Sequence, residues 1–119
     1  MIEHRLLRSI CHASIGTNDL KRAKAFYTPV LATLTIALVS EYEHAVTYGK
    51  GYPEFWLQQP YDKLPATPGN GVHFGFVALN KQQVDDFINA LSLWVDAVMA
   101  NPAQGQNMEH HIMVALLSI

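Results

Sequence analysis

The chain has 119 residues, half of them apolar and 15% charged, which excludes a disordered polypeptide and leaves room for a single domain. Eight Lys and Arg against ten Asp and Glu give a net charge of −2, so nothing marks a nucleic-acid surface or a polybasic membrane patch. One cysteine, Cys11, excludes a disulfide framework and suits a reducing cytosol; with no membrane-length apolar run and no secretory leader, a cytoplasmic protein is expected.

Residues 9–16 read as a strand with two faces, Cys11, Ala13 and Ile15 on one and His12, Ser14 and Gly16 on the other. Thr17-Asn18-Asp19 supplies N-cap chemistry for a helix that buries Leu20, Ala23, Phe26, Tyr27, Val30 and Leu31, with Pro29 expected to bend or end it. Three short strands fit residues 34–40, 44–49 and 54–59, with Gly49, Gly51 and Pro53 turning the chain between the last two. A Pro-rich loop over 61–71 leads to a fifth strand, 72–79, whose Val72, Phe74, Phe76 and Ala78 oppose His73, Gly75 and Val77. Asn80 then caps a second helix with Val84, Phe87, Ile88 and Leu91 on its buried side.

The second start echoes the first. A shift of 61 residues brings His12 onto His73, Ser14 onto Gly75, Ala23 onto Val84 and Phe26 onto Phe87. His12 and His73 therefore hold the same position on two equivalent strands, and side-by-side packing would aim both imidazoles into one concavity. Two imidazoles and a carboxylate are the donors of an open divalent-metal site, while half-buried polar strand residues are the plainer alternative.

The segment from His12 to Tyr27, His-Ala-Ser-Ile-Gly-Thr-Asn-Asp-Leu-Lys-Arg-Ala-Lys-Ala-Phe-Tyr, resembles the opening of the vicinal oxygen chelate superfamily. That superfamily joins glyoxalase I, extradiol dioxygenases, fosfomycin-resistance enzymes and bleomycin-binding proteins. Pro68-Gly69-Asn70-Gly71-Val72-His73 is similar to the loop and fifth strand of its small bacterial, lactoylglutathione lyase-like members, and the resemblance spans about residues 9–91. It implies an α+β fold of paired βαβββ modules, 9–59 and an incomplete 72–119, forming an open eight-stranded sheet around a metal pocket. It implies metal ligands from the first strand (His12), the fifth (His73) and a Glu on the eighth, with Zn, Ni, Mn or Fe as the ion. Gln58 or Glu54 is the nearest weak third ligand, and Ser14, Tyr48, Phe55 and Trp56 are expected to line the pocket.

After Leu93 the resemblance stops. The family pattern asks for a Gly-Gly pair, a Tyr-Tyr strand and a last strand with its Glu, whereas this chain runs through Trp94 to an apolar end at 112–119. Read from the third base of the Trp94 codon, synonymous codons for the tail can spell Gly-Gly-Arg-Cys-Asp-Gly-Glu-Pro-Gly and, further on, Ser-Tyr-Tyr-Gly-Cys-Phe-Val-Ile-Asp. That resembles the missing loop and seventh strand, so a one-base frameshift near codon 93 and a premature stop are expected; an early stop codon in the shifted frame of the gene would end the idea. Trp94, Val95, Val98 and Met99 are spaced to prolong the second helix, Met113–Ile119 to pair as a strand, and His110-His111 to face solvent.

The resemblance implies metal-dependent lyase or isomerase chemistry on a small substrate with neighbouring oxygens, the ion acting as Lewis acid, with no general base identifiable. The alternatives are metal-independent binding of a small molecule, as in bleomycin-resistance relatives, and an inactive dimeric relic. A homodimer is expected to cover the incomplete second module, and exchange of residues 112–119 between copies is one form it can take.

Overall fold

The computed structural model describes residues 9–67, 69–100 and 112–116, with backbone alone at 95, 97–100 and 112–116. The order is β1 (Ala13–Gly16), α1 (Leu20–Ala32), β2 (Ala37–Glu41), β3 (Ala45–Gly49), β4 (Phe55–Gln58), β5 (Phe74–Ala78), α2 (Lys81–Ala100) and β6 (Ile112–Leu116). The mixed α+β class and the altered second module are as expected. Of the eight-stranded sheet the described residues supply six strands, four in one sheet and two in another. His110 and His111 lie outside the described residues. No helix among the described residues is long and apolar enough to cross a membrane.

Helix α1 forms where an N-cap meets an apolar stripe. Asp19 accepts from the Arg22 backbone N–H at 3.0 Å, satisfying an orphan donor of the first turn. Ala23, Phe26, Tyr27, Val30 and Leu31, at helical spacing, are buried. Pro29 neither ends the helix nor removes it from register, since α1 runs on to Ala32. Both Pro29 and Ala25, whose carbonyl loses its intrahelical partner, are exposed, so the missing bond falls on the solvent side of the helix.

The helix stops through a Schellman-like turn. Ile36 N–H reaches back to Leu31 O at 3.1 Å and Leu34 N–H to the same carbonyl at 3.0 Å. Thr35 sits between them at φ 60°, a left-handed conformation that a β-branched residue adopts only under strain. Thr35→Gly is expected to raise stability by about 0.5–1 kcal/mol, the relieved strain exceeding the added freedom of the unfolded chain. An unchanged or lowered urea midpoint would refute it.

In the first sheet the order is β1-β4-β3-β2, with β1 parallel to β4 and the other neighbours antiparallel. A bulge interrupts β2 between Leu38 and Ser40. The buried Thr47 hydroxyl fills it, accepting from Ser40 N–H at 3.0 Å and sharing a bond with the Ser40 hydroxyl at 2.7 Å. One face of the sheet carries Val46, Tyr48, Phe55 and Leu57 into α1.

The second module repeats the first at the same 61-residue offset. Ala13 maps onto Phe74 and Leu20 onto Lys81, the first residues of the matched elements. Asn80 repeats the Asp19 cap, its side-chain oxygen accepting from Gln83 N–H at 2.9 Å. Helix α2 turns Phe87, with Val84, Ala90, Leu91 and Trp94, toward the core. Ile88 is 51% exposed instead of buried, because the contact stripe follows Phe87, Leu91 and Trp94. Trp94 packs on Phe26 with ring centroids 4.9 Å apart, so the divergent tail joins the core at its first residue. The tail also supplies β6, which runs parallel to β5 as β4 does to β1.

Candidate functional site

His12 and His73 each stand one residue ahead of a strand, before Ala13 and before Phe74. Extended by one residue, the parallel register Ala13↔Phe55 sets His12 level with Glu54. Ser14 and Gly16 pair with Trp56 and Gln58. Paired residues share a face and alternate along the strand, so His12, Ser14, Glu54, Trp56 and Gln58 occupy one side of the sheet. The side chain that reaches His12 from β4 is Trp56, with ring centroids 5.7 Å apart.

The same alternation corrects part of the expected pocket lining. Tyr48 and Phe55 are on the opposite face from Trp56, inside the core: Tyr48 is 0% and Phe55 5% exposed. Adjacent strand residues cannot line one pocket. The Tyr48 hydroxyl bonds with that of Thr28 on α1 at 2.9 Å. Burial pushes its phenol above the usual range, against the opposing pull of that bond, with Glu41 pushing the same way as burial.

Of the two weak third ligands, Glu54 is level with His12 and Gln58 lies farther along β4. Gln58 stands four positions beyond Glu54, about 13 Å along the strand at the usual rise. Glu54 accepts from the Lys50 backbone N–H at 3.3 Å, back toward the β3–β4 turn. The His73 ring bonds through Nδ1 to Gly71 O at 3.0 Å. Among the described residues no three His, Cys, Asp or Glu side chains gather as a metal would require. Among the described residues the donors therefore do not fit a resident ion: an indole, which ligates nothing, fills the place on β4 beside His12.

Sequence reasoning missed Tyr42. It lies in the tight β2–β3 turn, where its N–H donates to Ala45 O at 2.8 Å, and its ring stacks on Trp56 at 6.0 Å and 5°. No periodicity marks a turn residue, so only the folded hairpin could reveal it. His12, Trp56 and Tyr42 thus form a row of rings on the open face. Tyr42, at the end of the row, also lines a wide-open cavity of about 380 Å³ together with Glu43, His44, Ala45, Gln58, Gln59 and Tyr61. Asn18 ties the 61–71 loop beside this face, donating to Ala66 O at 3.2 Å and accepting from Ala66 N–H at 2.6 Å.

No protein-family profile and no curated protein matches the chain. Among solved structures it is similar to a glyoxalase/bleomycin resistance protein from Albidiferax ferrireducens T118, at 34% identity and TM-score 0.65, over 70% of this chain and 67% of that one. A "putative glyoxalase" from Bacillus halodurans shares the fold at 18% identity and TM-score 0.66, over 94% of this chain and 98% of that one. So does lactoylglutathione lyase from Agrobacterium tumefaciens, at 23% identity and TM-score 0.50, over 71% and 69%. With its 61-residue repeat, its β1-β4-β3-β2 sheet and this level of identity, the chain belongs to the glyoxalase/bleomycin resistance protein family, within the vicinal oxygen chelate superfamily.

Proposed function

We propose that this chain is a small-molecule-binding descendant of a metal-dependent lyase or isomerase, and that the metal chemistry of its lineage has been lost. The carrying observation is Trp56 packed against His12 at 5.7 Å, with Tyr42 stacked upon it. An aromatic row beside an open cavity binds planar, apolar ligands by area and ring contact. His12 and His73 are the only imidazoles that the family pattern offers for an ion; a pair of neutral imidazoles holds a divalent ion loosely. A frameshifted tail agrees with a relative 34% identical over 70% of the chain, and with a second module of which the described residues supply β5, α2 and β6. A lone cysteine agrees with a cytoplasmic protein, and homodimerisation belongs to the same reading because an incomplete second module leaves surface to cover.

The experiment is metal analysis of protein purified without chelator, followed by thermal-shift titration with bleomycin and a panel of planar aromatic compounds. The expected result is well under one equivalent of Zn, Ni, Mn or Fe per chain. At least one compound should raise the melting temperature of the wild type and not of Trp56→Ala. One tightly held equivalent that His12→Ala and His73→Ala both release would restore the metal-dependent reading. No shift with any compound, in metal-poor protein, would leave the inactive relic.

A further inference from the structure

We propose that Asn70 is a self-modifying site: the main-chain nitrogen of Gly71 closes on the Asn70 side chain, and the asparagine is converted to aspartate and isoaspartate. Asn70 and Gly71 are both exposed, in the bend that leads into β5. Glycines of positive φ stand on either side of Asn70, Gly69 at 73° and Gly71 at 89°. The attacking nitrogen has to approach the side-chain carbonyl carbon of the residue before it, and a Cβ on the attacking residue is the usual obstruction. Gly71 carries none, and where one would stand nothing lies within 4 Å. Neither the Asn70 amide nor the Gly71 N–H bonds to another described residue, so no such bond has to break first. The other described asparagines are held. Asn18 is bonded at both ends of its amide to the Ala66 main chain, at 3.2 and 2.6 Å, and the Asp19 N–H donates to Thr17 Oγ1 at 3.1 Å. Asn80 caps α2, its oxygen accepting from Gln83 N–H at 2.9 Å. Asn89 lies inside α2, where the next N–H belongs to the helix ladder.

The reaction balances with water alone. Gly71 N–H gives its proton to solvent hydroxide, and its nitrogen forms a bond to Asn70 Cγ. The bond from Cγ to the side-chain nitrogen breaks, and that nitrogen takes up a proton and leaves as ammonia. Water then opens the five-membered imide at one of its two carbonyls. Opening at Cγ restores the main chain and leaves aspartate; opening at the main-chain carbonyl routes the chain through Cγ and leaves isoaspartate. Either product adds a carboxylate, taking the net charge one unit below its value of −2. Isoaspartate also inserts a methylene into the main chain ahead of Gly71. The Gly71 carbonyl oxygen is the partner of the His73 ring at 3.0 Å, so the lengthened chain displaces the contact that orients His73 at the mouth of β5. The modification thus falls beside one histidine of the candidate site, and its chemistry is independent of whether that site takes a metal, a small molecule or nothing.

The test uses the full chain, kept warm for several days at mildly alkaline pH and, in parallel, at mildly acidic pH. Trypsin then releases residues 64–81, which carry Asn70 and Asn80 on one peptide. Fragment spectra assign the small mass gain of NH2 replaced by OH to one asparagine or the other. The gain is expected at Asn70 and not at Asn80, faster in the alkaline sample, where more of the Gly71 nitrogen is deprotonated. An isoaspartyl carboxyl methyltransferase with labelled S-adenosylmethionine should label the aged protein, and neither fresh protein nor aged Asn70→Gln. In the labelled fraction the His73 ring resonances should move. Gly71→Ala should slow the conversion by about tenfold or more, because it places a Cβ on the attacking residue. The wild-type time course decides the matter by itself if that variant, strained at φ 89°, folds poorly. Asn70 intact after the alkaline incubation would overturn the proposal, as would Asn18 or Asn80 converting first. A Gly71→Ala protein that folds and converts as fast as the wild type would overturn it too, and unmoved His73 resonances would overturn the displacement of His73.

Discussion

Gly49→Ala is expected to cost about 3 kcal/mol of stability and at least about 10 °C in melting temperature. A Cβ built at Gly49 would lie 1.7 Å from Tyr52 O, 2.9 Å from Tyr52 C and 3.2 Å from Glu54 N. All three are backbone atoms, so no flexible side chain can swing aside. The chain doubles back at this point. Glu54 N–H donates to Tyr48 O at 2.9 Å, and Gly51 at φ 82° makes the corner. Relief of the clash has to move the whole 50–54 turn, and with it the register that delivers Phe55 to the core and Trp56 to the open face. Gly75→Ala is the matched control, because its Cβ would meet nothing within 4 Å. Chemical denaturation of both variants checks the expectation, and a Gly49→Ala protein within about 1 kcal/mol of the wild type would defeat it.

Phe55→Ala should be costlier still, about 4 kcal/mol, as for other large aromatic truncations in a core. Its ring touches Tyr27 of α1 at 5.4 Å and, from β5, Phe74 at 5.9 Å and Phe76 at 5.2 Å. Phe55 is therefore a link between the two modules, and its loss opens a cavity at their junction. The second module should suffer first, because β5 has a single strand neighbour among the described residues. Amide exchange in β5 is expected to accelerate more than exchange in β3. Equal acceleration in both strands would show that the modules unfold as one unit and that Phe55 has no special place between them.

Much of the fold was legible because it rests on local chemistry repeated twice. Asp19 and Asn80 cap their helices as side-chain oxygens at a helix start do. The apolar stripe from Ala23 to Leu31 needs nothing but helical spacing to face inward. Legible too is that Phe55 and Trp56 are neighbours on a strand and must take opposite faces. Tyr48 and Phe55 went to the core by that rule alone.

Residue types at fixed spacing determined the module order, the histidine pair, the family and the point where the pattern breaks after Leu93, because periodicity, capping and repeat are properties of short stretches of chain. The tertiary structure alone decided what lies beside His12. Strand register set Trp56 against it, turned Glu54 toward Lys50 and left Gln58 four positions away. A hairpin closed by backbone bonds laid Tyr42 on the same indole. It also decided that an apolar tail with no family pattern takes the place beside β5 that β4 holds beside β1. These are contacts between residues far apart in the chain, whose partners are chosen by register, turn geometry and the shape of the core rather than by any neighbour in sequence.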